Sequence, residues 1–146
     1  MKSINFTVPG LFEKILSGSK KLTIRGLFIP AFVETDWVLL RDVENKDGKR
    51  VVKRSVPAKI TYIRFIRLSE VTDALAEREG FTTAEESKAW LRETYSIRSD
   101  KRWLVCICWN ELDKPALVEY TGIVKAVERK RTILDHYLGL GAVKSI

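Results

Sequence analysis

The stretch Gly18-Ser19-Lys20-Lys21-Leu22-Thr23-Ile24-Arg25 places two lysines, a hydroxyl and a guanidinium close together along the chain. Each of these groups can handle a proton or an anion. A Thr hydroxyl is a weak nucleophile that needs a neighbouring base. A lysine amine becomes such a base when burial or a nearby cation lowers its pKa. A guanidinium holds a phosphate or a carbonyl oxygen through two parallel hydrogen bonds. Alternation over 21–25 predicts a strand with Leu22 and Ile24 on one face and Lys21, Thr23 and Arg25 on the other. On that alternation Lys21 shares the face of Thr23, and Lys20 lies in the preceding turn, where its direction is free.

Cysteine chemistry is limited by number and spacing. Cys106 and Cys108 are the two cysteines of the chain. At i and i+2 in a strand they point the same way, and a bridge between such neighbours would be strained. The single His136 is far along the chain, so the four ligands of a zinc site are not assembled. Two buried structural thiols and no metal are expected.

Elements that would position these groups follow from local signals. Residues 12–16 read as a short helix, with Pro9 near its start and Gly18 as its C-cap. Residues 28–35 look irregular and 37–43 a strong strand. Asp47-Gly48 within 45–49 signals a hairpin turn, and the chain returns over 51–56. Pro57 is expected to interrupt that strand at an edge or a bulge, and a further strand covers 59–68. Thr72 caps a helix over 73–78 closed by Gly80. Thr83 and Glu86 form a capping box for a second helix over 84–95. The apolar run 103–109 reads as a central strand. Residues 120–138 fit an amphipathic helix ended by Gly139 and Gly141. Strands with helices set between them indicate an α+β chain.

Composition bounds the setting. The 146 residues fit one domain; 45% are hydrophobic, 31% are charged, and the net charge is +7. No apolar run is long enough to cross a bilayer, and Glu13 and Lys14 interrupt the one apolar stretch near the start, so no signal peptide is read. The protein is expected to be cytoplasmic. A basic surface gathers anions, and nucleic acid is the commonest of these. Basic residues cluster at Lys46, Lys49, Arg50, Lys53 and Arg54, and again at Lys125, Arg129, Lys130 and Arg131.

Gly18, Lys20 and Arg25 fit the spacing of the ASCH signature, and the stretch resembles that family, a branch of the PUA-like superfamily. Thr23 at its matching place narrows the resemblance to members that hydrolyse N4-acetylcytidine. Glu77-Arg78-Glu79-Gly80-Phe81 followed by Thr83-Ala84-Glu85-Glu86 looks like the helix–turn–helix of the family, and 103–109 like its closing strand. The resemblance spans roughly residues 4–110. It departs from the family at Thr35-Asp36, where Gly-Asp is common, and in a tail the smallest hydrolytic members lack. The implied fold is a PUA-like mixed or antiparallel β-barrel with surrounding helices over 1–110. Residues 111–146 would be a helical extension packed on the same domain.

The resemblance implies a catalytic set of Lys20, Thr23 and Glu79, with Glu77 as the alternative carboxylate and Lys21 as the reserve lysine. It implies that Gly18, Lys21 and Arg25 bind substrate or RNA, and no cofactor or metal is implied. Each residue also has an ordinary role: lysines are mostly solvated, Thr23 is a good strand former, and Glu79 sits at a helix end beside Gly80. His136 reads as a surface or packing residue. Trp37, Trp90, Trp103 and Trp109 read as core, with Trp103, Tyr62 and Phe65 as candidates to stack on a base. The expected function is an RNA- or nucleoside-binding ASCH protein acting as an amidohydrolase on N4-acetylcytidine or a related nucleoside. The alternatives are a non-catalytic RNA-binding module and a protein-interaction domain using its tail.

Overall fold

The computed structural model describes residues 1–27 and 32–120. In chain order the elements are β1 (Ser3–Phe6), α1 (Leu11–Ser17), β2 (Leu22–Arg25), β3 (Trp37–Lys46), β4 (Lys49–Arg67), α2 (Asp73–Glu79), α3 (Ala84–Tyr95), β5 (Trp103–Leu112) and β6 (Val118–Glu119), with short 3-10 turns after β4 and β5. Strands and helices of this kind make the chain α+β. The chain divides into two compact units, each discontinuous in sequence.

One unit takes Met1–Phe12, Trp37–Lys59 and, of the described residues that follow, 111–120. β1 runs parallel to β3, with Ser3 opposite Leu39. β3 and β4 form the expected hairpin. At its tip Asp47 and Gly48 both have left-handed φ, 50° and 75°, the pair a tight two-residue hairpin turn requires. β1 is too short for periodicity to announce it.

The expected break at Pro57 does not occur: β4 is continuous over nineteen residues. The reason lies in the pairing. Pro57 faces Leu39, and the Leu39 N–H donates to Lys2 in the other direction. The two residues are therefore a non-hydrogen-bonded pair, and the missing N–H of Pro57 removes no bond to β3. Its carbonyl points away from β3 and accepts the Asp113 N–H at 2.9 Å. The bulge falls instead at Asp42/Val43. Tyr120 donates its N–H to Lys53 and meets Ser55 through its hydroxyl at 3.0 Å. The rest of the helix expected over 120–138, with His136 and the second basic cluster, lies outside the described residues.

The other unit takes Glu13–Asp36 and Ile60–Asn110. β5 pairs antiparallel with β2, Leu22 opposite Cys108 and Ile24 opposite Cys106, and its other neighbour is β4. Leu22, Ile24, Ile66, Leu68, Leu91, Leu104 and Cys106 form the core, with Leu75, Trp90 and Tyr95 packed against it. The helices form where their caps lie. Thr72 Oγ1 accepts the Leu75 N–H and Thr83 Oγ1 the Glu86 N–H, both at 3.2 Å. Glu86 returns a bond to Thr82 rather than to Thr83. Gly80, at φ 104°, ends α2 in the left-handed conformation. α2 runs one residue past Arg78, which makes Glu79 its last helical residue.

Candidate functional site

β2 has a free edge. The Lys21 carbonyl accepts the Trp109 N–H at 2.9 Å and Thr23 stands opposite Ile107, so Thr23 turns its backbone groups toward β5. Leu22 and Ile24 turn theirs outward, where an unpaired strand edge needs partners. Two side chains supply them. Lys20 Nζ donates to the Leu22 carbonyl at 2.8 Å, and Glu79 Oε2 accepts the Ile24 N–H at 2.8 Å. These peptide groups flank Thr23 on its two sides. A lysine and a carboxylate therefore bracket Thr23 along the strand edge.

The same two residues also finish a helix. The last carbonyls of a helix lack intrahelical donors. Here the Arg78 carbonyl accepts the Lys21 N–H at 3.1 Å, Glu79 accepts from Lys20 Nζ, and Gly80 accepts from Lys14 Nζ at 2.7 Å. Cations at this end also oppose the partial negative charge of the helix terminus.

Burial sets the electrostatics. Lys20 is 1% exposed and Glu79 2%. Desolvation lowers the Lys20 amine to about 7, with Glu79 opposing the shift and Arg25 and Lys14 adding to it. Burial pushes the Glu79 carboxyl above its usual range, partly offset by Lys20 and by the bonds from Ile24 and Ser87. Ser87, fully buried on α3, donates to Glu79 Oε1 at 2.8 Å. The result is an amine near proton exchange at neutral pH beside a carboxyl that burial holds above its usual range.

Thr23 is buried, and its Oγ1 accepts Arg25 Nε–H at 2.9 Å. Burial lowers Arg25 from its ordinary value, while Tyr95 opposes this through charge and a hydrogen bond. The charge of Arg25 acts on both Lys20 and Glu79. By register, Thr23, Arg25, Val105 and Ile107 belong to one face, and Leu22, Ile24, Cys106 and Cys108 to the other.

The structure thus brings Lys20, Glu79, Thr23 and Arg25 into one electrostatic neighbourhood. Lys21 and Glu77, the reserve residues, are exposed. Gly18 turns the chain out of α1 at φ 86° and has open space where a side chain would stand. Tyr95 and Ser87 were not singled out in the sequence. Their one signal is placement on the inward side of an amphipathic helix. Trp103, Tyr62 and Phe65 are exposed, and the Arg67 guanidinium lies 4.6 Å from the centre of the Trp103 ring. Among the described residues no group of three His, Cys, Asp or Glu side chains gathers, and no helix is long and apolar enough to cross a membrane.

No protein-family model and no curated protein matches the sequence. Solved structures do match. An Enterococcus faecalis protein of family DUF984 is similar at 15% identity over 84% of this chain and 85% of that one, with a TM-score of 0.55. Two structures of the Zymomonas mobilis ASCH protein are similar at 16% identity over 75% of this chain and 66% of theirs, with a TM-score of 0.51. The chain has the fold of ASCH-domain proteins. At these identities the likeness is one of fold. Within the ASCH fold, the edge of β2 and the end of α2 are where this chain gathers its buried ionisable groups.

Proposed function

We propose that this chain is an ASCH-family amidohydrolase that removes an acyl group from N4-acetylcytidine or a related modified nucleoside. Membership of the family, and closure of the strands into a PUA-like barrel, are part of that proposal. The observation that carries it is the buried Lys20–Glu79 pair flanking Thr23, with the amine held near pH 7.

In this reading the Thr23 hydroxyl attacks the acyl carbon, and the neutral Lys20 amine takes the hydroxyl proton. The Arg25 Nε–H already on Thr23 Oγ1 steadies the negative charge that develops there. Protonated Glu79, favoured by its raised pKa, gives a proton to the departing exocyclic nitrogen of cytosine. The acyl group then rests on Thr23 as an ester. Water, giving a proton to the Glu79 carboxylate, cleaves that ester to a carboxylic acid. The proton held by Lys20 returns to Thr23. Gly18, Lys21 and Arg25 would line the approach of the nucleoside.

Incubation with N4-acetylcytidine, with cytidine release followed by chromatography, tests the reading. Wild type is expected to release cytidine and Thr23→Ala to stay at background. Equal background rates for both would overturn it.

A second reading is a non-catalytic RNA-binding module. It is favoured by the +7 charge and by the exposed basic hairpin Lys46, Lys49, Arg50 and Lys53. On this reading Lys20 and Glu79 serve only as cap and edge partners. RNA affinity would then fall steeply with salt, and salt-insensitive binding would count against it.

A further inference from the structure

The thiols play no part in the chemistry above, yet they do not lie in a sealed core. Cys106 and Cys108 line a cavity of about 380 Å³ together with Tyr62, Arg64, Arg78 and Asn110. That volume lies in the range of small-molecule sites. Both thiols are free and point to the same face of β5, opposite Ile24 and Leu22. Arg64 comes from β4 and Arg78 from α2. Among the described residues neither guanidinium makes a side-chain hydrogen bond or ion pair. Two unpaired cations thus share a cavity with a thiol pair, an arrangement suited to an anionic ligand that carries a sulfur electrophile.

We propose that Cys108 is a thiol–disulfide exchange site for low-molecular-weight disulfides that bear carboxylates, with Arg64 and Arg78 holding the carboxylates. Cys108 is the thiol within reach, at 8% exposed against 1% for Cys106. A hydrogen bond from Cys106, with Arg78 and Arg64 beside it, brings the Cys108 thiol down to about 7 against the effect of burial. The same bond raises Cys106 and keeps it a thiol. Cys108 therefore supplies the thiolate that exchange requires.

The step balances as an exchange. Cys108 Sγ attacks one sulfur of the disulfide, and a new S–S bond forms as the old one breaks. The second sulfur leaves as a thiolate with the bonding pair. The chain retains a mixed disulfide, and the oxidant is the ligand itself. Cys106 does not resolve it, because bridging i and i+2 along β5 would distort the strand. The product carries one adduct.

The test compares two aromatic disulfides on the intact folded chain. One is dithiobis(nitrobenzoate), which is dianionic, and the other is dithiodipyridine, which is neutral. Release of the coloured thiol gives the rates, and intact mass gives the stoichiometry. One adduct is expected, lost in Cys108→Ser and kept in Cys106→Ser. The double variant Arg64→Ala/Arg78→Ala is expected to slow the dianionic reagent about tenfold and the neutral one by less than about twofold. Both arginines are exposed, so this variant keeps its denaturation midpoint. Labelling confined to denaturant, an adduct on Cys106, or equal slowing of both reagents would overturn the proposal. It stands or falls independently of nucleoside hydrolysis.

Discussion

The β3–β4 hairpin and the edge of β2 both present lysines, and the two regions put them to opposite uses. At the hairpin, Lys46, Lys49, Arg50 and Lys53 stand in water, and Lys53 meets Glu44 at only 3.9 Å. An exposed pair of this kind adds little stability. Charges in water attract anions at a distance. At the edge of β2, Lys20 has lost its water and gained two carbonyls and a carboxylate neighbour. The same side chain then becomes a group that exchanges a proton near neutrality. Burial, rather than residue type, sets the two groups of lysines apart.

The contrast can be tested most strongly on activity. Lys20→Met is expected to lower N4-acetylcytidine hydrolysis about a thousandfold. Lys49→Glu/Arg50→Glu should leave it within about twofold. A comparable loss from the hairpin variant would erase the distinction.

Stability comes next. Glu79→Ala leaves a buried amine, the Ile24 N–H and the Ser87 hydroxyl without their carboxylate. Each buried donor left without its acceptor costs about 1–3 kcal/mol. The denaturation midpoint should fall accordingly, whereas the hairpin variant should move stability by less than about 0.5 kcal/mol.

A third measurement uses pH. The folded Lys20 amine titrates near 7, against 10.5 for the ordinary side chain. Between these values the unfolded chain binds more protons, so stability rises with pH across that window and the cost of burying the charge is fully felt below it. Relative to Lys20→Met, wild type should gain up to about 1.4 kcal/mol per pH unit there. A flat difference from pH 7 to pH 10 would remove the argument for a neutral amine.

The smallest effect concerns the hairpin itself. If RNA is bound there, Lys49→Glu/Arg50→Glu should reduce the slope of log affinity against log salt by about 2. An unchanged slope would move the basic footprint elsewhere.

Much of the local structure was legible because it depends on neighbours in the chain. Thr72, Thr83 and Gly80 marked helix ends through side-chain caps and a left-handed closing residue. Asp47-Gly48 marked the hairpin for the same reason. The spacing that the resemblance matched, Gly18, Lys20 and Arg25, falls on the stretch that carries the buried Lys20 and Thr23. Pro57 misled because its effect depends on which way its N–H would have pointed, and register alone sets that.

What the sequence determined by itself was the α+β class, the positions of its turns and caps, and a basic chain with two unbridged thiols. Tertiary structure decided that Lys20 rather than Lys21, and Glu79 rather than Glu77, go inside. It also set Ser87 and Tyr95 beside them and opened a cavity at the cysteines. The physical reason is range. Caps and turns are settled within a few residues, whereas desolvation of an ion depends on elements that meet from distant parts of the chain, here the last turn of α2 against the free edge of β2.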